Sequence, residues 1–485
     1  MGNDNLTLLT DFYELTMMQG YFKNNSNDTV IFDVFYRNNP SGSGYSICAG
    51  LDQMIEYIKG INFTGKDIEY LRSLNMFDED FLSYLTTFTF SGDIYAVPEG
   101  TVVFPMEPLV KVIAPIMEAQ LVETAILNII NHQSLIATKA SRVCYSAKGE
   151  PVMEFGLRRA QGPDAGVYGA RAAVIGGCVG TSNVLAAQKF DVPALGTHAH
   201  SWIMSFDDEL TAFREYAYLY PNNATLLVDT YDTLRSGVPN AIKVFKELKE
   251  VGKMPVKYGI RLDSGDLAYL SKKARRMLDL AGFNDAVIVA SSDLDEYLID
   301  SLKTQGAAIN SWGVGTNLIT SKDCPAFGGV YKLAAIQKDG VFIPKIKLSE
   351  NQWKITNPGN KTVYRIYEKE SGKIKADLIA MVHEKYSENS PLMLFDPIST
   401  WKKTYLKPGT YTIRELLVPV FMKGKCVYES PAVMDIREYC AKELETLWDE
   451  TRRLVNPHDV YVDLSNELYQ LKIKLLDNLN INSHN

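Results

Sequence analysis

The strongest constraint on the fold is an alternation that begins near Met153. Short apolar or β-branched runs, each closed by polar residues, take turns with amphipathic helical stretches. The pattern predicts strands at 193–196, 224–229, 256–262, 286–290 and 309–314, with helices at 207–218, 238–251, 267–281 and 296–304. In the second helix Ala241, Val244, Phe245, Leu248 and Val251 form one apolar stripe, as a helix packed on a sheet requires. Strands that alternate with covering helices pair in parallel. A closed barrel and an open doubly wound sheet both fit that pattern. The strand ends favour the barrel, because chemistry follows each apolar run. His200 follows the first and Asp229 the second. Arg261, Asp263, Ser264, Gly265 and Asp266 follow the third, then Ser291, Ser292 and Asp293, then Gly313, Gly315 and Thr316. One Asp or Ser in such a place is more often a helix cap. Five consecutive ends of this kind point to a converging site, which α/β barrels build at the C-terminal ends of their strands.

The first of these exits reads Ala-Leu-Gly-Thr-His-Ala-His-Ser-Trp from Ala194 and holds two of the chain's six histidines. In extended backbone, residues two apart face the same side, so His198 and His200 can share one pocket. Histidine can titrate, accept a phosphoryl group or ligate a metal near neutral pH. On these residues alone, a pair of loop histidines without a role is an equal reading. Upstream, 154–181 combines Arg158, Arg159 and Arg171 with Gly176, Gly177, Gly180 and Thr181. Guanidinium forks suit phosphate, and glycines let backbone approach an anion. With the hydroxyls of Ser291, Ser292 and Thr316, this predicts a ligand with more than one phosphate. Asp229, Asp263 and Asp266 are candidate partners for Mg²⁺, which usually bridges few carboxylates and substrate phosphates. Neither a P-loop nor a Gly-x-Gly-x-x-Gly dinucleotide pattern is present where it would be needed.

The flanks read differently. Residues 8–22 predict a helix capped by Thr10 or Asp11, with Phe12, Leu15 and Met18 on its apolar face and Tyr13 on another. Residues 30–37 predict a strand, 121–142 a helix, and 330–336 a strand interrupted by Lys332. Residues 340–415 read as β-rich and 433–478 as helical and charged. The expected division is an N-terminal mixed α/β domain over 1–145, an irregular parallel α/β barrel over 146–331, and a β-rich and helical C-terminal extension over 332–485. At 485 residues, 46% hydrophobic and 22% charged, the chain is long enough for two or three packed domains. A net charge of −8 argues against a nucleic-acid or acidic-membrane binder. The six cysteines are scattered without a Cys-x-x-Cys pair, so zinc and dithiol chemistry lack their spacing. With no basic leader and no long apolar span, the expectation is a soluble cytoplasmic protein.

Five blocks then carry a resemblance: LLTDFYELTMMQGYF, EFGLRRAQGPD, GTHAHSW, GIRLDSGD, and GVGTNL followed by GGVYKL. In this order they resemble the nicotinate phosphoribosyltransferase family over about residues 8–335. The resemblance implies a type II phosphoribosyltransferase that makes nicotinate mononucleotide and pyrophosphate from nicotinate and phosphoribosyl pyrophosphate. It implies Mg²⁺, ATP as a coupled co-substrate, and a homodimer with shared active sites. It places the transiently phosphorylated histidine at His200, with His198 as runner-up, and catalytic roles at Arg261 and Asp263. It places Tyr13 against the nicotinate ring across a dimer interface, and Arg158, Thr197 and Arg261 near the nicotinate carboxylate and the phosphoribosyl group. Asp229 and Ser264 join the substrate-binding set, and Gly315 and Thr316 would bind the ribose phosphate. The alternatives are the nicotinamide-using relative and a metabolite sensor on the same fold without turnover.

Overall fold

The computed structural model describes residues 5–347, 349 and 354–482. The chain divides into two compact units. The first joins residues 1–135, 326–431 and 438–485, and the second holds 136–325 with 432–437. Where sequence reading divided the chain at 145 and 331, the structure thus groups its first and last stretches together. The physical reason is pairing: Gly329–Lys338 lies antiparallel beside Thr29–Tyr36, with Phe32 and Tyr331 stacked 4.5 Å apart. An antiparallel partner contributed from 300 residues away leaves no local signal in sequence.

In the first unit a seven-stranded sheet, centred on Thr29–Tyr36 and Val110–Pro115, covers a large apolar core. A four-stranded sheet holds Tyr411–Glu415, Lys361–Glu368, Ile374–Met381 and Tyr461–Leu464. The last of these strands pairs in parallel with Ile374–Met381. It interrupts the stretch read as helical, which otherwise forms Val433–Glu445 and Asn466–Asn482. The predicted N-terminal helix runs Phe12–Lys23 after Asp11. Leu15 and Met18 are buried as expected, but Phe12 is half-exposed and the third buried residue is Glu14.

The second unit is built on five parallel strands: β1 (Val152–Glu154), β2 (Asn223–Leu227), β3 (Lys257–Leu262), β4 (Val287–Ala290) and β5 (Ser311–Val314). Their order is β1-β5-β4-β3-β2. Single parallel bridges from Glu154 to Thr181 and from Thr181 to Ala194 continue the sheet beyond β1. The predicted strand at 193–196 is therefore one bridge, because Gly196 and the polar exit stop it at once. Helices Glu209–Leu219, Val238–Glu250, Leu267–Leu280 and Glu296–Thr304 fall between strands as the alternation predicted. The stripe of the second is buried at Ala241, Val244 and Phe245, while Val251 is exposed. Two glycines admit close approach of neighbouring backbone, one between β3 and β4 and one between the turn 233–237 and the end of β2. A Cβ on Gly259 in β3 would stand 2.0 Å from the Val287 carbonyl, and one on Gly237 1.8 Å from that of Val228. Backbone pairing among the described residues gives this sheet and its bridges, and no ladder from the 194–198 exit to β2.

Candidate active site

The C-terminal ends of β2, β3 and β4 and the 194–200 exit meet at Arg261. This residue closes β3, and its half-buried guanidinium is bonded on three sides. Nε donates to Ser291 Oγ at 2.7 Å, Nη1 to Thr197 Oγ1 at 2.9 Å, and Nη2 to Asp263 Oδ1 at 2.8 Å. One side chain thus ties three exits, using donors in a fixed plane as only arginine offers them. The ring of Phe155, just after β1, lies 5.9 Å from the guanidinium carbon. Gly313 leaves the space for that ring, since a Cβ there would meet it at 2.6 Å.

Asp263 is the second hub. Burial pushes its carboxyl up, but the Ser291 hydroxyl, the Arg261 guanidinium and His200 outweigh that and hold it below the usual aspartate range. It stays a carboxylate. Asp229, after β2, accepts the Asp263 backbone N–H at 2.7 Å and the Ser264 hydroxyl at 2.9 Å, both on Oδ2. Its Oδ1 is buried with no hydrogen-bond partner among the described residues.

The two histidines part company here. His198 is buried, with its ring 4.5 Å from that of Tyr216. Its Nε2 accepts the Leu227 backbone N–H at 3.2 Å, so it fills the position a neighbouring strand would take at the edge of β2. Burial pulls its pKa down to about 4, and the ring is neutral. His200 begins the one-turn helix His200–Met204 and is partly open to solvent. Its Nδ1 lies 3.0 Å from Thr230 Oγ1 and its Nε2 3.9 Å from Asp263 Oδ2. If Nδ1 carries the proton and donates it to the threonine oxygen, Nε2 is left as the acceptor nitrogen.

Five predicted residues, Thr197, His200, Asp229, Asp263 and Ser264, thus gather around Arg261. Gly315 and Thr316 stand at the end of β5, where Thr316–Ile319 forms a short helix. Arg158 is exposed on the turn Leu157–Arg159 after β1 and makes no bond to the cluster among the described residues. Tyr13 belongs to the first unit, on Phe12–Lys23, where partial burial and the carboxylates of Glu123 and Glu14 push its phenol up to about 12. Burial also lifts Glu14 to about 7, against the hydroxyl bonds of Thr10 and Thr124.

The glycine-rich anion reading of 171–181 is overturned. Arg171 is buried inside the helix Pro163–Ile175. A Cβ on Gly176 would meet Ala137 at 2.2 Å, and one on Gly180 would meet Pro193 at 2.4 Å, so these glycines serve close packing. Thr181 spends its hydroxyl on buried Glu154, at 2.5 Å. Asp266 caps Leu267–Leu280 through Tyr269 N, so for this residue the cap reading holds. Sequence reading also missed Phe155 and Thr230. Phe155 follows a strand of three residues, too short for a period to register, and Thr230 is one residue beyond an aspartate already marked. A further mark of the site is Ser292, just after β4, at φ +126°. Such backbone costs energy for any residue with a Cβ and clusters at functional sites.

Comparison with known proteins extends this picture along the whole chain. Models of the nicotinate phosphoribosyltransferase N-terminal domain, the family itself and its C-terminal domain match residues 8–131, 151–347 and 360–472. A nicotinate phosphoribosyltransferase of Bacillus subtilis is 46% identical over 97% of this chain and 95% of its own. The human one is 30% identical over 96% of this chain and 95% of its own. The crystal structure of human nicotinic acid phosphoribosyltransferase superposes with a TM-score of 0.84 at 29% identity, covering 96% of this chain and 99% of that one. On these matches, the chain belongs to the nicotinate phosphoribosyltransferase family.

Proposed function

We propose that the protein transfers the phosphoribosyl group of phosphoribosyl pyrophosphate to the ring nitrogen of nicotinate at the strand ends around Arg261, with ATP hydrolysis coupled through His200. The observation that carries this reading is the Arg261 hub, which brings a guanidinium, a carboxylate pair and a half-open histidine to one place in a chain of this family. The reaction breaks the C1–oxygen bond to pyrophosphate and forms a C1–nitrogen bond, through a centre with oxocarbenium character. It needs positioning and charge stabilisation more than a protein nucleophile. Arg261 and Thr197 supply donors for the nicotinate carboxylate, Asp229 and Ser264 a polar edge for the ribose, and Gly315 and Thr316 backbone and hydroxyl donors for its 5′-phosphate. Arg158 and, from a partner copy of the chain, Tyr13 complete the substrate contacts in this reading. The catalytic set is His200, Arg261 and Asp263.

The buried, unpartnered Oδ1 of Asp229 suits a Mg²⁺ ion, which would neutralise pyrophosphate charge when bound with the sugar substrate. Attack of His200 Nε2 on the γ-phosphorus of ATP would release ADP, and hydrolysis of the phosphohistidine would release phosphate. The added charge would lie beside the Asp263 carboxylate, 3.9 Å from Nε2 before phosphorylation. Like-charge repulsion there loosens the Arg261–Asp263 pair and turns the guanidinium towards new anions. The bridged sheet is read as an irregular barrel, with the His198 imidazole closing the β2 edge.

The test is product formation from nicotinate and phosphoribosyl pyrophosphate with Mg²⁺, with nicotinamide as control. Nicotinate mononucleotide with the acid and none with the amide supports the reading. Turnover of the amide alone overturns the substrate, and binding without turnover makes the protein a sensor.

A further inference from the structure

The segment that follows β5 carries Gly315 and Thr316 and is fastened on two sides. On one side it packs against the exit of β1. A Cβ on Gly315 would stand 3.3 Å from the Phe155 carbonyl, and one on Gly156 2.5 Å from Ile319 Cβ. On the other side it is bonded to the exit of β4 through Asn317, on the short helix Thr316–Ile319. Asn317 is only 8% exposed, and its Nδ2 donates to the Asp293 carbonyl at 3.0 Å and to the Leu294 carbonyl at 3.1 Å. Both partners are acceptors, so the nitrogen of the amide, and not its oxygen, faces them. Two hydrogens on one atom thus serve two consecutive carbonyls. Ionised aspartate, of nearly the same shape, has no hydrogen to give, and serine has one.

The exit that Asn317 holds is the one that serves Arg261. Ser291 accepts from the guanidinium at 2.7 Å, Ser292 follows at φ +126°, and the Leu294 N–H donates to the Ser292 carbonyl at 2.8 Å. A second tie lies further along. Lys139, 3% exposed, pairs with Glu296 on the helix Glu296–Thr304 at 2.7 Å and with Asp323 at 2.6 Å. The β5 exit therefore has a charge tie at its far end and the Asn317 amide at its near end, next to Thr316. We propose that Asn317 is a positioning residue for the phosphoribosyl substrate. It acts through Gly315 and Thr316, holding them against the β4 exit so that their donors stand in place before the 5′-phosphate arrives. Donors fixed in advance need no ordering on binding, and the anion is held more tightly for it. The inference rests on the reading that Gly315 and Thr316 take that phosphate.

The test is steady-state turnover of the full-length protein with Mg²⁺ and ATP. Michaelis constants for the two substrates are measured separately in wild type, Asn317→Ala, Thr316→Val and the double variant. Asn317→Ala is expected to raise the constant for phosphoribosyl pyrophosphate about tenfold, as loss of a buried hydrogen-bond donor does, and to leave that for nicotinate unchanged. Because Asn317 acts through Thr316, the double variant is expected to show little more than the larger single effect. Asn317→Ser keeps one donor and is expected to raise the same constant several-fold. It decides the matter if Asn317→Ala does not fold. An equal rise in both constants overturns the proposal, since a general loosening of the fold would produce it, and so do additive effects in the double variant. If Thr316→Val raises the constant for phosphoribosyl pyrophosphate and the Asn317 variants do not, the positioning role alone fails. If Thr316→Val leaves it unchanged, the phosphate reading of Gly315 and Thr316 fails, and this inference with it.

Discussion

Two histidines one residue apart have been given opposite work by their surroundings. His198 is a buried acceptor that holds the Leu227 N–H, and His200 is partly exposed, between Thr230 and Asp263. The difference predicts a pH signature. An unfolded His198 takes a proton near pH 6.5, whereas the folded one resists until about 4. Between those values the unfolded state binds more protons, so stability falls as pH drops through that window, by roughly 3 kcal/mol in all. Chemical denaturation across pH 4–7 checks this, and His198→Gln is expected to flatten the slope. His198→Ala is expected to cost about 1–3 kcal/mol at pH 7, because it strands a buried N–H, while His200→Ala leaves the melting temperature unchanged. Arg261→Ala is expected to raise the Michaelis constant for nicotinate by the equivalent of roughly 2–5 kcal/mol, and an unchanged constant would remove Arg261 from the carboxylate site. At this scale the sequence marked both histidines, but extended geometry alone made them equivalent. Only the edge of β2, 29 residues downstream, separates them.

At the scale of elements, the alternation from 153 to 316 was legible because each strand closes with a polar cap and each helix carries a stripe. The strands themselves are short, four to six residues for β2–β5. The three-residue β1 and the strand Tyr461–Leu464 escaped notice, the latter because it sits between two charged helices. The glycines of 176–180 were misread because close packing of a helix and close approach to a phosphate ask for the same missing Cβ. The elements of the first unit are fastened by charge that no local pattern reveals. Arg365, fully buried on Lys361–Glu368, donates to Asp377 Oδ1 at 2.9 Å, to the Val102 carbonyl at 2.7 Å and to Glu443 at 3.4 Å. Removing one member leaves an uncompensated buried charge, so Asp377→Ala is expected to destabilise the fold by about 3–5 kcal/mol in urea unfolding. Loss of less than about 1 kcal/mol would mean that Glu443 and Glu107, whose Oε2 lies 4.0 Å from Arg365 Nη2, take up the arginine's charge.

At the scale of the molecule, the family is matched along almost the whole chain, from residue 8 to residue 472. The first unit joins N-terminal and C-terminal stretches of the chain, and the second presents the strand-end cluster. No helix among the described residues is long and apolar enough to cross a membrane. In the proposed reaction ATP drives phosphoribosyl transfer through His200, and His198 only supports the site. The most direct measurement is to incubate the protein with ATP labelled at the γ-phosphate and Mg²⁺, then locate acid-labile label by peptide mapping in wild type, His200→Ala and His198→Gln. The expected result is label on His200, retained in His198→Gln and absent from His200→Ala, where ATP no longer stimulates nicotinate turnover. Label or full ATP stimulation persisting in His200→Ala would take the phosphoryl-accepting role away from His200.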